Sequence, residues 1–295
     1  MVILLQTSVV QREVASKFTL WLLSTHQIDI DLNKIKIGLL GDVYFEEVLL
    51  TGEKQDTLVY VESLKVKTSF FRWSHLSSVY AKGLKLNYLY EEEPETAELY
   101  QRIIPLFKAS DAQKRIHVNH FWVNGAHLNV GKYSAPRSFR NIDLYAKESR
   151  WASEIDLVLS NLEWEILGGS KHQLDASRIH ISDTAYYVDA FHWESGNSYA
   201  NFDFRHNKVH DKSLLELHQF SADNSAVKGM IDGWPEALQF DASTIVLMEN
   251  DSLWTESLSL RSNKGSKVTG SFGVKNWSDF NAWKYFCKAD TFDLV

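Results

Sequence analysis

Residues Ser8 to Ser24 place Val10, Val14, Phe18, Trp21 and Leu22 three or four positions apart, with Gln11, Arg12, Glu13 and Lys17 between them. That spacing puts the apolar side chains on one stripe and predicts an amphipathic helix. After His26 the period drops to two: Ile28, Ile30 and Leu32, then Ile35, Ile37 and Leu39, then Val43 and Phe45. Period two is the signature of a half-buried strand. Between Leu32 and Ile35 the apolar set changes parity, which a strand tolerates only with a bulge or turn, here at Asn33-Lys34. The alternation resumes through Leu58 and Tyr60, Leu64 and Val66, and Leu84, Leu86, Tyr88 and Tyr90.

The acidic run Glu91-Glu92-Glu93-Pro94 closes this first set of strands, and Glu95 to Phe107 predicts a short crossing helix carrying Leu99, Ile103 and Leu106. Strand patterning then continues in Arg115–Val130, Ser138–Ala146, Glu154–Leu167, Gln173–Ile181, Thr184–Trp193, Ser198–Phe204 and Leu214–Phe220, and in Leu238–Met248, Thr255–Arg261 and Lys267–Val274. Strands at roughly ten-residue spacing, with almost no second helical segment, predict a mainly β, antiparallel protein. The stretches "HVNHFWVNGAHLNV", "EIDLVLSNLEWEI" and "QLDASRIHISDTAYYV" each read as strand, brief turn, strand, the first turning at Asn124-Gly125.

Composition narrows the function classes. The 295 residues hold 31 basic and 38 acidic side chains, a net charge of -7, so no global positive field exists to hold nucleic acid. One cysteine, Cys287, excludes an internal disulfide framework and a cysteine-based zinc site. Four prolines and 14 glycines leave little room for a flexible linker. The apolar run Val2 to Leu5 is far short of the ~20 residues of a membrane-spanning helix, and Met1 to Thr7 has none of the parts of a signal peptide.

Catalytic patterns are weak. His117, His120 and His127 lie within eleven residues, with His172, His180 and His192 further on. On a regular strand His117 and His120 point to opposite faces, so metal ligation would need a bulge between them. Glu46-Glu47, Glu163 with Glu165, and Asp175 with Asp183 offer paired carboxylates. Glu163 and Glu165 share a strand face but alternate with Leu162, Trp164 and Ile166, the pattern of a solvated face rather than of two acids across a cleft. No nucleophile elbow, phosphate-binding loop or dinucleotide fingerprint is present, and Gly168-Gly169-Ser170 reads as a turn. No enzyme activity and no cofactor are expected. Ten tryptophans, among them Trp151, Trp164, Trp193, Trp234, Trp254, Trp277 and Trp283, could stack on sugars or simply pack on pleated surfaces.

One stretch carries more than a pattern. The helix with Val10-Gln11 leads into "IDIDLNKIKIGLLGDVYFEEVLLTGEKQDTLVYVESLKVKTSFF", with alternating Ile35 and Ile37, the strand Phe45 to Leu50, and Asp56-Thr57-Leu58. This resembles the N-terminal region of AsmA-like and TamB-like envelope proteins, the Bacteroidota type in particular. The likeness covers the first ~90 residues closely and the remainder only in its alternation. It implies an N-terminal helix over residues 1–26, followed over 27–295 by a long curved antiparallel sheet that forms an open hydrophobic groove, a β-taco. It also implies a non-enzymatic periplasmic conduit that carries phospholipid between inner and outer membranes and supports outer-membrane biogenesis, with a BamA-type barrel as partner. The family begins with a transmembrane anchor in the inner membrane, absent from this stretch, so the chain is expected to be a fragment of a longer protein.

On that reading Ile35, Ile37, Leu64, Val66, Leu84 and Leu86 line the start of the groove and contact phospholipid acyl chains. Val14, Phe18, Trp21 and Leu22 of the helix plug its end. The rival expectation is a closed β-sandwich acting as a glycan-binding or adhesion module, which has the same alternation but buries its apolar faces against each other.

Overall fold

The computed structural model describes residues 10–13, 15–17, 19–20, 30–38, 42–52, 56–69, 72–101, 116–151, 154–166, 171–222, 240–263, 265–276 and 284–293. Residues 10–20 are helical where described, and 16 strands follow, assigned to one large mixed sheet. The chain divides into two compact units, the first holding Met1–Ser153 with Leu162–Leu167, the second Glu154–Asn161 with Gly168–Val295.

In the first unit β1 (Ile30–Ile37), β2 (Val43–Thr51), β3 (Thr57–Ser69) and β4 (Arg72–Lys82) are successive antiparallel neighbours. The short β5 (Lys85–Tyr90) pairs with β3. A 3-10 turn at Pro94–Thr96 and helical residues 98–101 follow, with Leu99 buried against Leu50 and Leu58 of the sheet, and the rest of the expected crossing helix lies outside the described residues. The chain returns as β6 (Ile116–Lys132), which pairs parallel with both β4 and β5, and β7 (Ala135–Trp151) pairs antiparallel with β6. The wholly antiparallel expectation is therefore corrected to a mixed sheet. A parallel pair needs a long crossover, which the segment between β5 and β6 supplies.

The second unit is a plain antiparallel meander of β9 (Lys171–Ile181), β10 (Ala185–Ser195), β11 (Ser198–Asn207) and β12 (Lys212–Ala222), continued by β13 (Phe240–Glu249), β14 (Ser252–Ser262), β15 (Lys267–Lys275) and β16 (Lys284–Asp293). β8 (Ile155–Ile166) gives its first residues to the second unit and its last to the first.

Two expected hairpins are corrected to single strands. β8 contains all of "IDLVLSNLEWEI" without a turn. Asn124-Gly125 lies inside β6, where the register against β7 slips between Val123 and Ala126: a bulge, not a turn. Gly125 has φ +61, and its N–H donates to Asp143 Oδ1 at 2.8 Å, so the strand absorbs an extra residue with its amide still paired. At the other parity change β1 continues unbroken through Asn33-Lys34, while Glu47 opposite takes φ +54 and accepts a 2.8 Å hydrogen bond from Asn33.

Bulges recur in the second unit with a regular beat. Register slips set extra residues into β10 at Asp189-Ala190, β12 at His218-Gln219, β14 at Glu256-Ser257 and β16 at Asp290, each against a regular neighbour. Ala190 and Ser257 have positive φ, 55 and 54. Each bulge changes the parity of its strand, so the apolar residues on both sides of it stay on one face.

Candidate functional site

Directly opposed residues on neighbouring strands share a face of the sheet. Following the pairing across the first unit gives rows of side chains. One row reads Ile35, Phe45, Leu64, Ala81, Val123, Leu144, and the next reads Ile37, Val43, Val66, Val79, Phe121, Ala146. A third, through β5, reads Ile30, Leu50, Val59, Leu86, Leu128, Phe139. No polar side chain interrupts any of the three.

All six residues expected to line a groove belong to this apolar surface. Ile35 and Leu64 share a row, as do Ile37 and Val66, Leu86 lies in the third row, and Leu84 packs in the cluster of Val61, Ala81, Val123 and Ala126. Ile35 is 3 % exposed, while Ile37, Leu64, Val66, Leu84 and Leu86 are half-buried. The cluster around Val123 is built from the sheet's own side chains, with none from another layer among its described members. Over the first strands helical residues do cover the face: Ala15 is buried against Ile35 and Val43, and Leu99 against Leu50 and Leu58. The four residues expected to plug the end, Val14, Phe18, Trp21 and Leu22, lie outside the described residues.

The second unit, taken by itself, has the same construction. Ile179, Val188, Phe204, Leu215 and Val246 form one row, and Leu174, Trp193, Ala200, Phe220, Ala242, Leu260 and Val268 form another beyond the line of bulges. The unit's buried apolar side chains include Leu159, Leu174, Trp193 and Val274, beside the buried His172.

The candidate catalytic groups are engaged by neighbouring side chains and backbone. His117 and His120 line one shallow depression with Asn119, Lys147, Glu148 and Arg150, which corrects their expected placement on opposite faces. Glu148, with φ +51, breaks the regular pleat of β7 beside them. Burial and the neighbouring His75 and Arg150 hold the His117 imidazole below its usual pKa. His120 hydrogen-bonds the Tyr145 hydroxyl at 3.1 Å. His172, 1 % exposed, stacks on Trp193, and burial lowers its pKa. His180 meets Asp156 at 2.7 Å. Asn201 and then Glu194 hold the His192 pKa up. His127 donates its backbone N–H to Leu84 O, and Glu165 accepts from Asn141. Trp234, Trp277, Trp283 and the side chain of Trp151 lie outside the described residues.

One cluster escaped the sequence reading. Asp203, Glu216 and His218 bring a ligand-type atom each within 4.8 Å of one another. Asp203 Oδ1 accepts the Ala190 N–H at 2.6 Å and Oδ2 meets His218 Nε2 at 2.9 Å, which together hold the Asp203 carboxyl below its usual pKa. Both oxygens are engaged, so Asp203 clasps two bulges as Asp143 clasps one. Only the cross-strand register brings these residues together; their spacing along the chain does not mark them.

On the face opposite the apolar rows, the row Lys36, Tyr44, Lys65, Tyr80, Trp122, Tyr145 is basic and aromatic. Among the described residues no helix is long and apolar enough to cross a membrane. No family model, curated protein or solved structure matches the chain.

Proposed function

We propose that the apolar face of the sheet carries lipid acyl chains, and that the protein is a non-enzymatic lipid conduit of the Gram-negative envelope. The observation that carries this reading is the set of uninterrupted apolar rows, in which Phe45, Leu64, Val66, Phe121 and Leu144 are only half-buried, with no second layer among the described members of the Val123 cluster. Water is a poor cover for such a surface. Each acyl CH₂ laid on it gains about 0.8 kcal/mol, so a chain is held without a shaped pocket and slides without a chemical step. The half-burial of Leu64 and Leu84 favours an open apolar groove over a closed sandwich.

The resemblance of the first ~90 residues to TamB-like and AsmA-like proteins supplies the rest of the reading. It implies a periplasmic protein, anchored in the inner membrane in its full-length form, with phospholipid as cargo and a BamA-type outer-membrane barrel as partner.

Native mass spectrometry with lipid extraction tests it, on protein purified in mild detergent and exchanged out. Several phospholipids per chain are expected, together with their loss from Leu64→Glu and Leu84→Glu variants that keep the parent's circular dichroism. A folded parent free of lipid, or a folded Leu84→Glu variant carrying as much as the parent, would overturn the proposal.

A further inference from the structure

We propose that the basic, aromatic face of the first unit seats the protein on an anionic phospholipid surface. The face is the reverse of the apolar rows, so the proposal stands independently of acyl-chain carriage. Lys36 and Lys65 lie in the row with Tyr44, Tyr80, Trp122 and Tyr145. Two positions along the same strands come Lys67 opposite Ser78 and Lys147 opposite His120. All four lysines are exposed, and no carboxylate among the described residues pairs with them. The flanking Lys34 and Lys82, by contrast, are neutralised by Glu46 and Glu62 at 3.4 and 2.6 Å. Four uncompensated cations on one sheet face form a local positive field within a chain of net charge -7.

The rings decide between anionic partners. Trp122 stacks on Tyr145 at 5.1 Å and on His120 at 5.2 Å, and Lys147 sits over the Tyr145 ring at 5.4 Å, as Lys36 does over Tyr44 at 5.5 Å. The faces of Trp122, Tyr145 and Tyr44 that these contacts occupy are closed to a nucleic-acid base or a sugar, which bind by stacking. What remains is a spread of ammonium groups among Tyr and Trp side chains. That combination matches a lipid headgroup layer, where amphipathic rings settle at the interface and lysines meet phosphates.

Vesicle co-sedimentation of the whole chain tests the proposal, with vesicles of phosphatidylcholine alone and of phosphatidylcholine mixed equally with phosphatidylglycerol. Binding is expected only to the anionic vesicles, falling as salt is raised and weakening about five-fold for each lysine changed in the series K36Q, K65Q, K67Q, K147Q. The control K212Q, in the second unit, should bind like the parent. L84E should lose co-purified lipid and keep vesicle binding, so failure of one proposal is separable from failure of the other. Absence of binding, equal binding to both vesicles, or a quadruple variant that binds like the parent would overturn the proposal. So would displacement from the vesicles by single-stranded RNA.

Discussion

Asp143 and Asp203 show how single side chains keep a bulged strand in place. Each accepts the N–H of a left-handed residue on the neighbouring strand, Gly125 and Ala190 respectively. A Cβ built on Gly125 would meet nothing within 4 Å, so Gly125→Ala tests the backbone conformation alone. It should cost about 1–2 kcal/mol, the strain of a left-handed alanine. Asp143→Ala should cost about 1 kcal/mol through the lost amide acceptor. Urea unfolding of both variants measures this, and unchanged midpoints would mean that the bulge is held by something other than its clasp. His172 makes the pH-dependent counterpart. Burial lowers its folded pKa below the ordinary 6.5, so the unfolded chain binds the proton more tightly. Its contribution is fully present above about pH 6.5 and is lost as pH falls through the lower folded value. The slope of unfolding midpoint against pH below 6.5 should therefore be shallower in His172→Phe, which keeps a ring against Trp193, than in the parent. Identical slopes would show that His172 is not a source of acid sensitivity.

At the scale of elements, most strands were legible because each has one wet and one dry face, and period two records that directly. The strands that escaped are those whose period is broken or whose faces are alike. β4 holds Leu76, Val79 and Ala81 on one side only because its register slips by a residue at Ser77, whose hydroxyl donates to Lys67 O at 3.2 Å. β16 is exposed along its whole length and has no dry face to leave a pattern. The parallel pairing of β4 and β5 with β6 was illegible for another reason: strand direction is set by the crossover between them, not by the strands. The parity change at Asn33-Lys34 was readable as such, but its partner distortion at Glu47 sits on another strand. The basic row was hidden in the same way, because Lys36, Lys65, Lys67 and Lys147 are scattered in sequence and meet only through register. The apolar positions of the candidate groove were visible strand by strand, whereas the extent of each row across six strands was not.

Across the molecule, nearly all pairing joins strands adjacent in sequence, and the second unit is an unbroken meander from β9 to β16. Among the described residues of that unit the contacts run between neighbouring strands, so its stability is expected to be a sum of neighbour-to-neighbour contacts, as in repeat proteins. Trp193 gives a direct test within that unit. It is 9 % exposed on β10, opposed by Leu174 on β9 and Ala200 on β11, and stacked on His172. Trp193→Ala removes a large buried side chain, a change that costs about 3 kcal/mol or more in a packed site. If the energy is local, amide hydrogen exchange in β9, β10 and β11 should accelerate on the order of a hundredfold, the equivalent of that cost. Amides of β14 and β15, several strands away, should exchange at the parent's rate. Equal acceleration in β14 and β15 would instead show that the unit opens in a single cooperative step. The local outcome also bears on the proposed conduit, because a sheet that yields strand by strand can adjust its apolar face to a passing acyl chain without unfolding elsewhere.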